Sequence, residues 1–147
     1  MARPATLVLL AAAAILAKAA PGEDRAQADK DCPLMVKVLD AVKGAPAAAV
    51  DLKVFRKVEE SWTQLATGVT DQTGQVHGLI TEEEFPAGLY KVEFDTTAYW
   101  KAQGRVPFHH VADVKFEAHA DGRHHYTLAL LLSPYSYTTT AISSRQE

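Results

Sequence analysis

The chain has 147 residues, with 15 lysines and arginines, 18 aspartates and glutamates, and one cysteine, which is room for one compact domain. Its net charge of −3 provides no basic field for nucleic acid or an anionic membrane surface. One cysteine forms neither an internal disulfide nor a cysteine-based zinc site. Hydrophobic residues make up 48% of the chain and charged residues 22%, which favours a packed core over disorder.

The N-terminus has the features of a cleaved leader. Arg3 precedes an apolar run from Leu7 to Leu16, and Ala17-Lys18-Ala19 fits the small-x-small rule for cleavage after Ala19. The run is about half of the roughly 20 residues that span a bilayer. We therefore predict a signal peptide at 1–19 and a secreted mature chain; the alternative is a buried N-terminal helix. Cleavage removes two basic residues and no acid, so the net charge changes from −3 to −5.

A polar segment of mixed charge, residues 20–31, follows the leader and is predicted to be a flexible arm. Cys32 ends this arm. As an unpaired thiol in a secreted protein, it is expected to lie near solvent and to be open to mixed disulfides. No base stands near it in sequence, so a catalytic thiol is not predicted.

From Leu34 onward apolar and polar residues alternate with the period of two that is typical of strands. Eight strands are predicted, at 34–40, 51–56, 62–66, 75–79, 89–95, 111–118, 124–132 and 137–143. Many short strands separated by turn residues indicate an all-β sandwich or barrel. The domain is predicted to cover residues 32–143, with 144–147 as a C-terminal tail.

One segment, 96–103, has a helical rhythm instead. Asp95 or Thr96 can cap its start, and Gly104 stands where helices end in the left-handed conformation. A single short helix is predicted there.

Sequence motifs of catalysis and metal binding are missing: the chain has no nucleophile elbow, no H-E-x-x-H, no C-x-x-C and no phosphate-binding loop. Six histidines stand at 77, 109, 110, 119, 124 and 125. Neighbouring strand residues face opposite sides, so neither adjacent pair aims at one point. We expect surface or hydrogen-bonded histidines, no metal, no cofactor and no enzymatic activity.

The first strand and the last two strands have a second face that is poorly suited to solvent. It combines small and apolar side chains with one cation, and it contains Lys37, Leu39, Thr127, Ala129, Leu131, Thr138, Thr140 and Ile142. If these strands share a sheet, that face is predicted to cover a ligand channel; the alternative is simple packing against another subunit.

Two long motifs lie on the same strands. Residues 37–47 (KVLDAVKGAPA) and 126–138 (YTLALLLSPYSYT) are similar to the N-terminal and C-terminal signatures of the transthyretin family, extracellular carriers of thyroid hormone. VFRK, HGL, TEEEF and YWKA follow in order between them. The resemblance covers about 32–142.

This resemblance implies a prealbumin-like, eight-stranded β-sandwich of two four-stranded sheets. It also implies a homotetramer whose central channel binds thyroxine or triiodothyronine. The implied ligand-binding residues are Lys37, Leu39, Gln75, Thr127, Ala129, Leu131, Thr138, Thr140 and Ile142. Lys37 is expected to meet the ligand carboxylate at the channel mouth, where Gln75 replaces a frequent glutamate. Thr138 replaces a common serine and narrows the inner pocket.

Some family members also bind retinol-binding protein. The residues implied for that contact are Val42, Lys43, Gln103, Gly104, Arg105, Val106 and Tyr135. Arg105 makes the loop after the helix more polar than the apolar loop of those members.

Two alternatives remain beside the carrier. The related 5-hydroxyisourate hydrolases keep two histidines, an arginine and a Tyr-Arg-Gly-Ser at positions that are here Lys37, Thr127, Gln75 and residues 140–143, so their catalytic groups are missing. The other alternative is an extracellular interaction module with a vestigial channel.

Overall fold

Residues 32–120 and 124–145, the ranges that the computed structural model describes, form nine strands and one short helix. The strands are β1 Leu34–Asp40, β2 Ala45–Pro46, β3 Asp51–Val58, β4 Ser61–Val69, β5 Gln75–Val76, β6 Gly88–Phe94, β7 Ala112–Ala118, β8 His124–Ser133 and β9 Ser136–Arg145; the helix α1 is Thr96–Ala102. The predicted signal peptide at 1–19 and the arm at 20–31 lie outside the described residues.

The strands form two sheets. In the first sheet the order is β2-β1-β8-β9, and β5 shares with β2 the edge of β1 that faces away from β8. In the second sheet the order is β4-β3-β6-β7. The β1–β8 pair is parallel, and every other described pair is antiparallel. The predicted two-sheet, all-β architecture is confirmed, with five strands in the first sheet where four were expected.

The inward faces of both sheets meet in one core. From the first sheet it includes Leu34, Val36, Val38, Leu128, Leu130 and Leu132, and from the second Leu52, Val54, Tyr90, Val92, Phe94, Ala112 and Val114. All of these side chains are at most 8% exposed. Burial of apolar surface at about 25 cal/mol per Å² is the main term that holds the two sheets together.

The predicted helix is confirmed, within one residue of its expected end. The Asp95 carboxylate accepts a hydrogen bond from the Ala98 amide at 3.1 Å, and Gly104 follows the helix with φ of +71°. Tyr99 and Trp100 point from the helix into the core, where they are 5% and 1% exposed. Their burial fixes the helix against the sandwich.

One strand was not predicted, and every predicted strand except β1 differs from its observed bounds by one to three residues at one or both ends. The two-residue strand β2 was not predicted, because Lys43-Gly44 reads as a simple turn. Strand β5 ends at Val76 rather than at Leu79, since Gly78 adopts a φ of +65° that leaves the extended region. Strand β9 continues to Arg145, so the first two residues of the predicted tail belong to the sheet.

The prediction of an exposed thiol at Cys32 is wrong. Its side chain is buried at 6% exposed, and its sulfur lies 3.0 Å from the carbonyl oxygen of Leu34 and 3.8 Å from that of Ile80. The physical reason is its position directly before the buried start of β1, which carries it into the sandwich. The thiol is free, as its lone occurrence in the sequence requires.

Candidate ligand-binding site

Strand register brings the predicted binding residues together on the outer face of the first sheet. We use this term for the side chains of β1, β8 and β9 that point away from the core. Across these strands they form three rows: Met35, Thr127 and Ile142; Lys37, Ala129 and Thr140; Leu39, Leu131 and Thr138. The eight strand residues predicted from the sequence therefore occupy adjoining positions on one surface.

Gln75 extends the middle row. Strand β5 pairs antiparallel with β1, and its register sets Gln75 directly opposite Lys37. An amide and an ammonium thus stand side by side at one border of the face, whereas the opposite border is made by β9. The sequence resemblance implies that Lys37 and Gln75 both lie at the channel mouth, and the register sets them on adjacent strands.

Small and apolar side chains dominate the surface between these borders. Leu131 is 41% exposed and Ile142 is 61% exposed, while the threonines of β9 are also exposed and Ala129 is half-buried. Thr139, on the other side of β9, donates from its hydroxyl to the Ala129 carbonyl at 3.0 Å. An exposed, contiguous apolar surface in a folded chain typically marks a site of contact with a ligand or another protein.

The sequence-based set lacked one member of this face. Met35 lies in the row of Thr127 and Ile142, two residues before Lys37, and it is half-buried. The signal was available, because the alternation that selects Lys37 and Leu39 selects Met35 as well. At the far end of the face His125 also points outward, with its Nε2 3.3 Å from Oε1 of Glu82.

A different surface gathers the residues predicted to contact retinol-binding protein. The loop after α1 joins the β8–β9 turn through the Phe108 amide, which donates to the Pro134 carbonyl at 2.7 Å. The turn after β1 joins β8 through the Ala41 amide, which donates to the Leu132 carbonyl at 2.8 Å. These bonds place three loops at one end of the sandwich.

The exposed side chains of that end are partly apolar. Val42 is 43% exposed, Val106 is 78% exposed and Tyr135 is 69% exposed. Lys43, Gly104 and Arg105 are exposed as well, and Gln103 is half-buried. Phe108, which the sequence reading did not select, is 70% exposed and stacks on Tyr135 with ring centroids 5.8 Å apart.

A buried hydrogen bond holds this end in shape. The Tyr99 hydroxyl donates to Oδ2 of Asp40 at 2.6 Å, and Oδ1 of Asp40 accepts from the amides of Val42 and Lys43 at 2.8 and 3.0 Å. Burial pushes the pKa of Asp40 upward, but these hydrogen bonds outweigh it and leave the pKa below its ordinary value. Burial and the Asp40 contact both raise the pKa of Tyr99. The pair therefore stays as a carboxylate and a neutral phenol at neutral pH.

Three positions at which the sequence resemblance implies catalytic groups in the hydrolases lie on the outer face of the first sheet or at its border. They are occupied here by Lys37, Thr127 and, beside Lys37, Gln75. In the ranges 32–120 and 124–145, no group of three or more His, Cys, Asp or Glu residues could hold a metal ion. The same ranges contain no helix long and apolar enough to cross a membrane.

A groove of about 810 Å³ lies elsewhere, between α1 and the second sheet. Charged residues such as Asp51, Lys53 and Glu93 line it, and none of the predicted binding residues does. No described residue of the single chain covers the outer face of the first sheet. It encloses a ligand only if a second surface covers it.

The family model described as HIUase/Transthyretin family matches residues 34–140. A crystal structure of transthyretin from Sparus aurata is 68% identical to this chain, with a TM-score of 0.75 over 77% of this chain and 98% of that one. A structure of sea bream transthyretin in complex with thyroxine is 66% identical, with a TM-score of 0.75 over 79% and 99%. The matched segment includes every strand of the sandwich at least in part, and on these grounds the chain belongs to the HIUase/Transthyretin family.

Proposed function

We propose that this protein is an extracellular carrier of thyroid hormone, which binds thyroxine or triiodothyronine between the outer faces of the first sheets of two copies. The observation that carries the proposal is the three-row face, with one ammonium at its border and small or apolar groups elsewhere. Similarity to a sea bream transthyretin solved with thyroxine supports the choice of ligand.

The chemistry of the face fits an iodinated aromatic amino acid. Lys37 supplies a positive charge for the ligand carboxylate, and Leu39, Leu131 and Ile142 supply apolar contact for the rings. A partly exposed ion pair contributes ~0.2–1 kcal/mol, whereas nanomolar affinity requires about −12 kcal/mol. Ring burial must therefore dominate the affinity, and Lys37 sets the orientation of the ligand.

Assembly into a homotetramer completes the site in this proposal. Among the described residues, strands β7 and β9 each end their sheet, so within these ranges one side of each strand has no paired neighbour. Such edges are usually covered by pairing with another chain. We propose that two copies pair through these edges, and that two such dimers face each other across the outer faces of their first sheets.

Competitive titration and native mass spectrometry test the carrier together with its assembly. A fluorescent apolar probe bound in the channel should be displaced stoichiometrically by thyroxine or triiodothyronine, and the native mass should be four times that of one subunit. No displacement at micromolar hormone would refute the carrier and favour the alternative, an interaction module with a vestigial channel.

We infer a carrier rather than an enzyme. Support comes from the lysine, glutamine and threonine at positions 37, 75 and 127, which replace the general bases and the arginine of the hydrolases. Decay of 5-hydroxyisourate absorbance above the uncatalysed rate would contradict this inference.

Secretion after cleavage behind Ala19 is part of the proposal. It rests on the basic, apolar and small-residue order of residues 1–19. N-terminal sequencing of the protein from the medium of expressing cells should begin at Ala20, followed by the polar segment to residue 31.

Retinol-binding protein is a second proposed partner, at the loop end that contains Val42, Val106 and Tyr135. These three side chains offer exposed apolar area on neighbouring loops, although Arg105 adds a charge among them. Co-elution with holo retinol-binding protein in size-exclusion chromatography tests the contact, and Arg105→Ile should strengthen it.

A further inference from the structure

The outer face of the second sheet brings two lysines side by side. The register of β6 and β7 sets Lys91 directly opposite Lys115. Like charges at directly opposite positions of a sheet repel each other. In the described parts of the chain no carboxylate oxygen lies within 4 Å of either ammonium. Two positive charges are thus held together without a direct ion pair.

Strands β6 and β7 also carry acidic residues on this face. Glu93 follows Lys91 by two positions along β6, and Asp113 and Glu117 flank Lys115 along β7. All three point outward on the same sheet face. They moderate the local potential, but the register leaves Lys91 and Lys115 directly opposite each other.

Aromatic rings hold the ammoniums in place. The Nζ of Lys91 lies 4.7 Å from the centroid of the Phe55 ring and 4.9 Å from that of Trp62. The Nζ of Lys115 lies 5.8 Å from the same Trp62 ring. Lys57 stands opposite Trp62 across β3 and β4. A ring face attracts a cation through its quadrupole, yet one indole carries no net charge with which to neutralise two ammoniums.

We propose that Lys91, Lys115 and Trp62 form a binding site for a small oxyanion, a sulfate or phosphate group that is either free or esterified to an aromatic ring. An oxyanion between the two ammoniums would replace their repulsion by two charge-assisted hydrogen bonds. The half-buried Trp62 ring provides a surface for an aromatic ester. The site lies on the sheet opposite the proposed hormone site, so it stands whether or not the hormone proposal does.

Fluorescence of Trp62 provides a direct readout. The chain has two tryptophans, and Trp100 is 1% exposed in the core, so it contributes a nearly constant background. Titration of the full-length protein with sodium sulfate, sodium phosphate or phenyl sulfate, each against sodium chloride of equal ionic strength, should give a saturable change with the oxyanions alone. Isothermal titration calorimetry measures the same affinities independently of the indole.

Lys115→Thr should weaken oxyanion binding at least tenfold, because one of the two ammoniums is removed. Lys53→Thr is the matched control: it removes an equal charge from the same sheet face, opposite Glu93, and should change the affinity less than twofold. Tighter binding of phenyl sulfate identifies an aromatic ester as the ligand, and equal binding identifies a free anion. A response matched by chloride, or equal weakening in both variants, overturns the proposal.

Discussion

The outer faces of the two sheets differ in composition although both follow the same alternation of apolar and polar positions. The first sheet presents outward Met35, Lys37, Leu39, Thr127, Ala129, Leu131, Thr138, Thr140 and Ile142. The second sheet presents from β3, β6 and β7 the residues Asp51, Lys53, Phe55, Lys57, Leu89, Lys91, Glu93, Asp113, Lys115 and Glu117. One residue in the first set is charged, against eight in the second.

This difference in charge separates a face suited to contact with another molecule from a face suited to contact with water. A face with one charge among nine residues has little that water solvates well, whereas the charged face is stable in contact with water. The low charge of the first face supports the proposal that ligand and subunit contact occur there. The cluster of lysines and aromatic rings on the second sheet is an exception, because it combines apolar rings with paired positive charges on a face that is otherwise suited to water.

Thr138 is the position on the first face where a substitution should weaken hormone binding most. Thr138→Tyr places a bulky side chain in the row of Leu39 and Leu131, and overpacking of the proposed pocket should weaken hormone binding more than about 100-fold, or about 2.8 kcal/mol. Probe-displacement titration measures the loss. Thr67→Tyr, an exposed threonine on the second sheet, should leave affinity unchanged. Normal affinity in Thr138→Tyr would refute the assignment of the first face.

A smaller effect is expected from loss of the hydrogen bond between Tyr99 and Asp40, which connects the two sheets. Asp40 ends β1 of the first sheet, and Tyr99 belongs to the helix that follows β6 of the second. Tyr99→Phe removes the only side-chain donor that the described residues give to this carboxylate. The free energy of unfolding in urea should fall by about 1.5–3 kcal/mol, whereas Tyr135→Phe, with its exposed ring, should stay within about 0.5 kcal/mol of the parent. Equal stabilities of the two variants would contradict a structural role for the bond.

The pH dependence of unfolding tests the contribution of the ionised Asp40 carboxylate to stability. Because the folded pKa of Asp40 is below its ordinary value, the unfolded chain takes up this proton at a higher pH than the folded chain does. The contribution of the carboxylate is complete above about pH 5 and is lost as the pH falls through the folded pKa. Asp40→Asn should be less stable at pH 7 but should lose less stability between pH 5 and 3. Parallel profiles for parent and variant would disprove the assignment.

Substitution of Lys37, the one charged residue of the first face, should change hormone affinity least. Lys37→Ala should weaken hormone binding by ~0.2–1 kcal/mol, because the ion pair is partly exposed to solvent. Lys53→Ala removes an equal charge from the other sheet and should have no effect in the same displacement assay. A loss beyond about tenfold, or ~1.4 kcal/mol, would contradict this prediction because it exceeds what a partly exposed ion pair contributes.

Much of this organisation could be predicted from the sequence, because local signals and tertiary structure agree. Strand β1 was predicted with both of its ends, since Leu34, Val36 and Val38 recur with period two before the Lys43-Gly44 turn. Asp95 and Gly104 predicted the helix through capping. Alternation likewise predicted eight strand residues of the first face and their common side, but their register across three strands came from the structure.

Other features depend on contacts distant in sequence. Strand β2 consists of two residues whose pairing with Leu39 and Asp40 has no periodic pattern of its own. Cys32 follows a polar segment, and its burial beside the Ile80 carbonyl depends on a contact 48 residues away. The Lys91–Lys115 pair could not be predicted from the sequence, because it depends on the register of β6 and β7. Whether the predicted hormone-binding residues contact a ligand stays a prediction that the titrations above decide.

Because Cys32 is buried, its labelling rate can report local opening at the start of β1. A maleimide reaches a thiol that is 6% exposed only when the first residues of β1 detach from the sandwich, so the labelling rate of the native protein reports how often that happens. No tag or added cysteine is required, because the chain has a single thiol. A ligand or subunit that binds the outer face and stabilises β1 should therefore slow the labelling of Cys32, although the thiol lies on the buried side of the sheet.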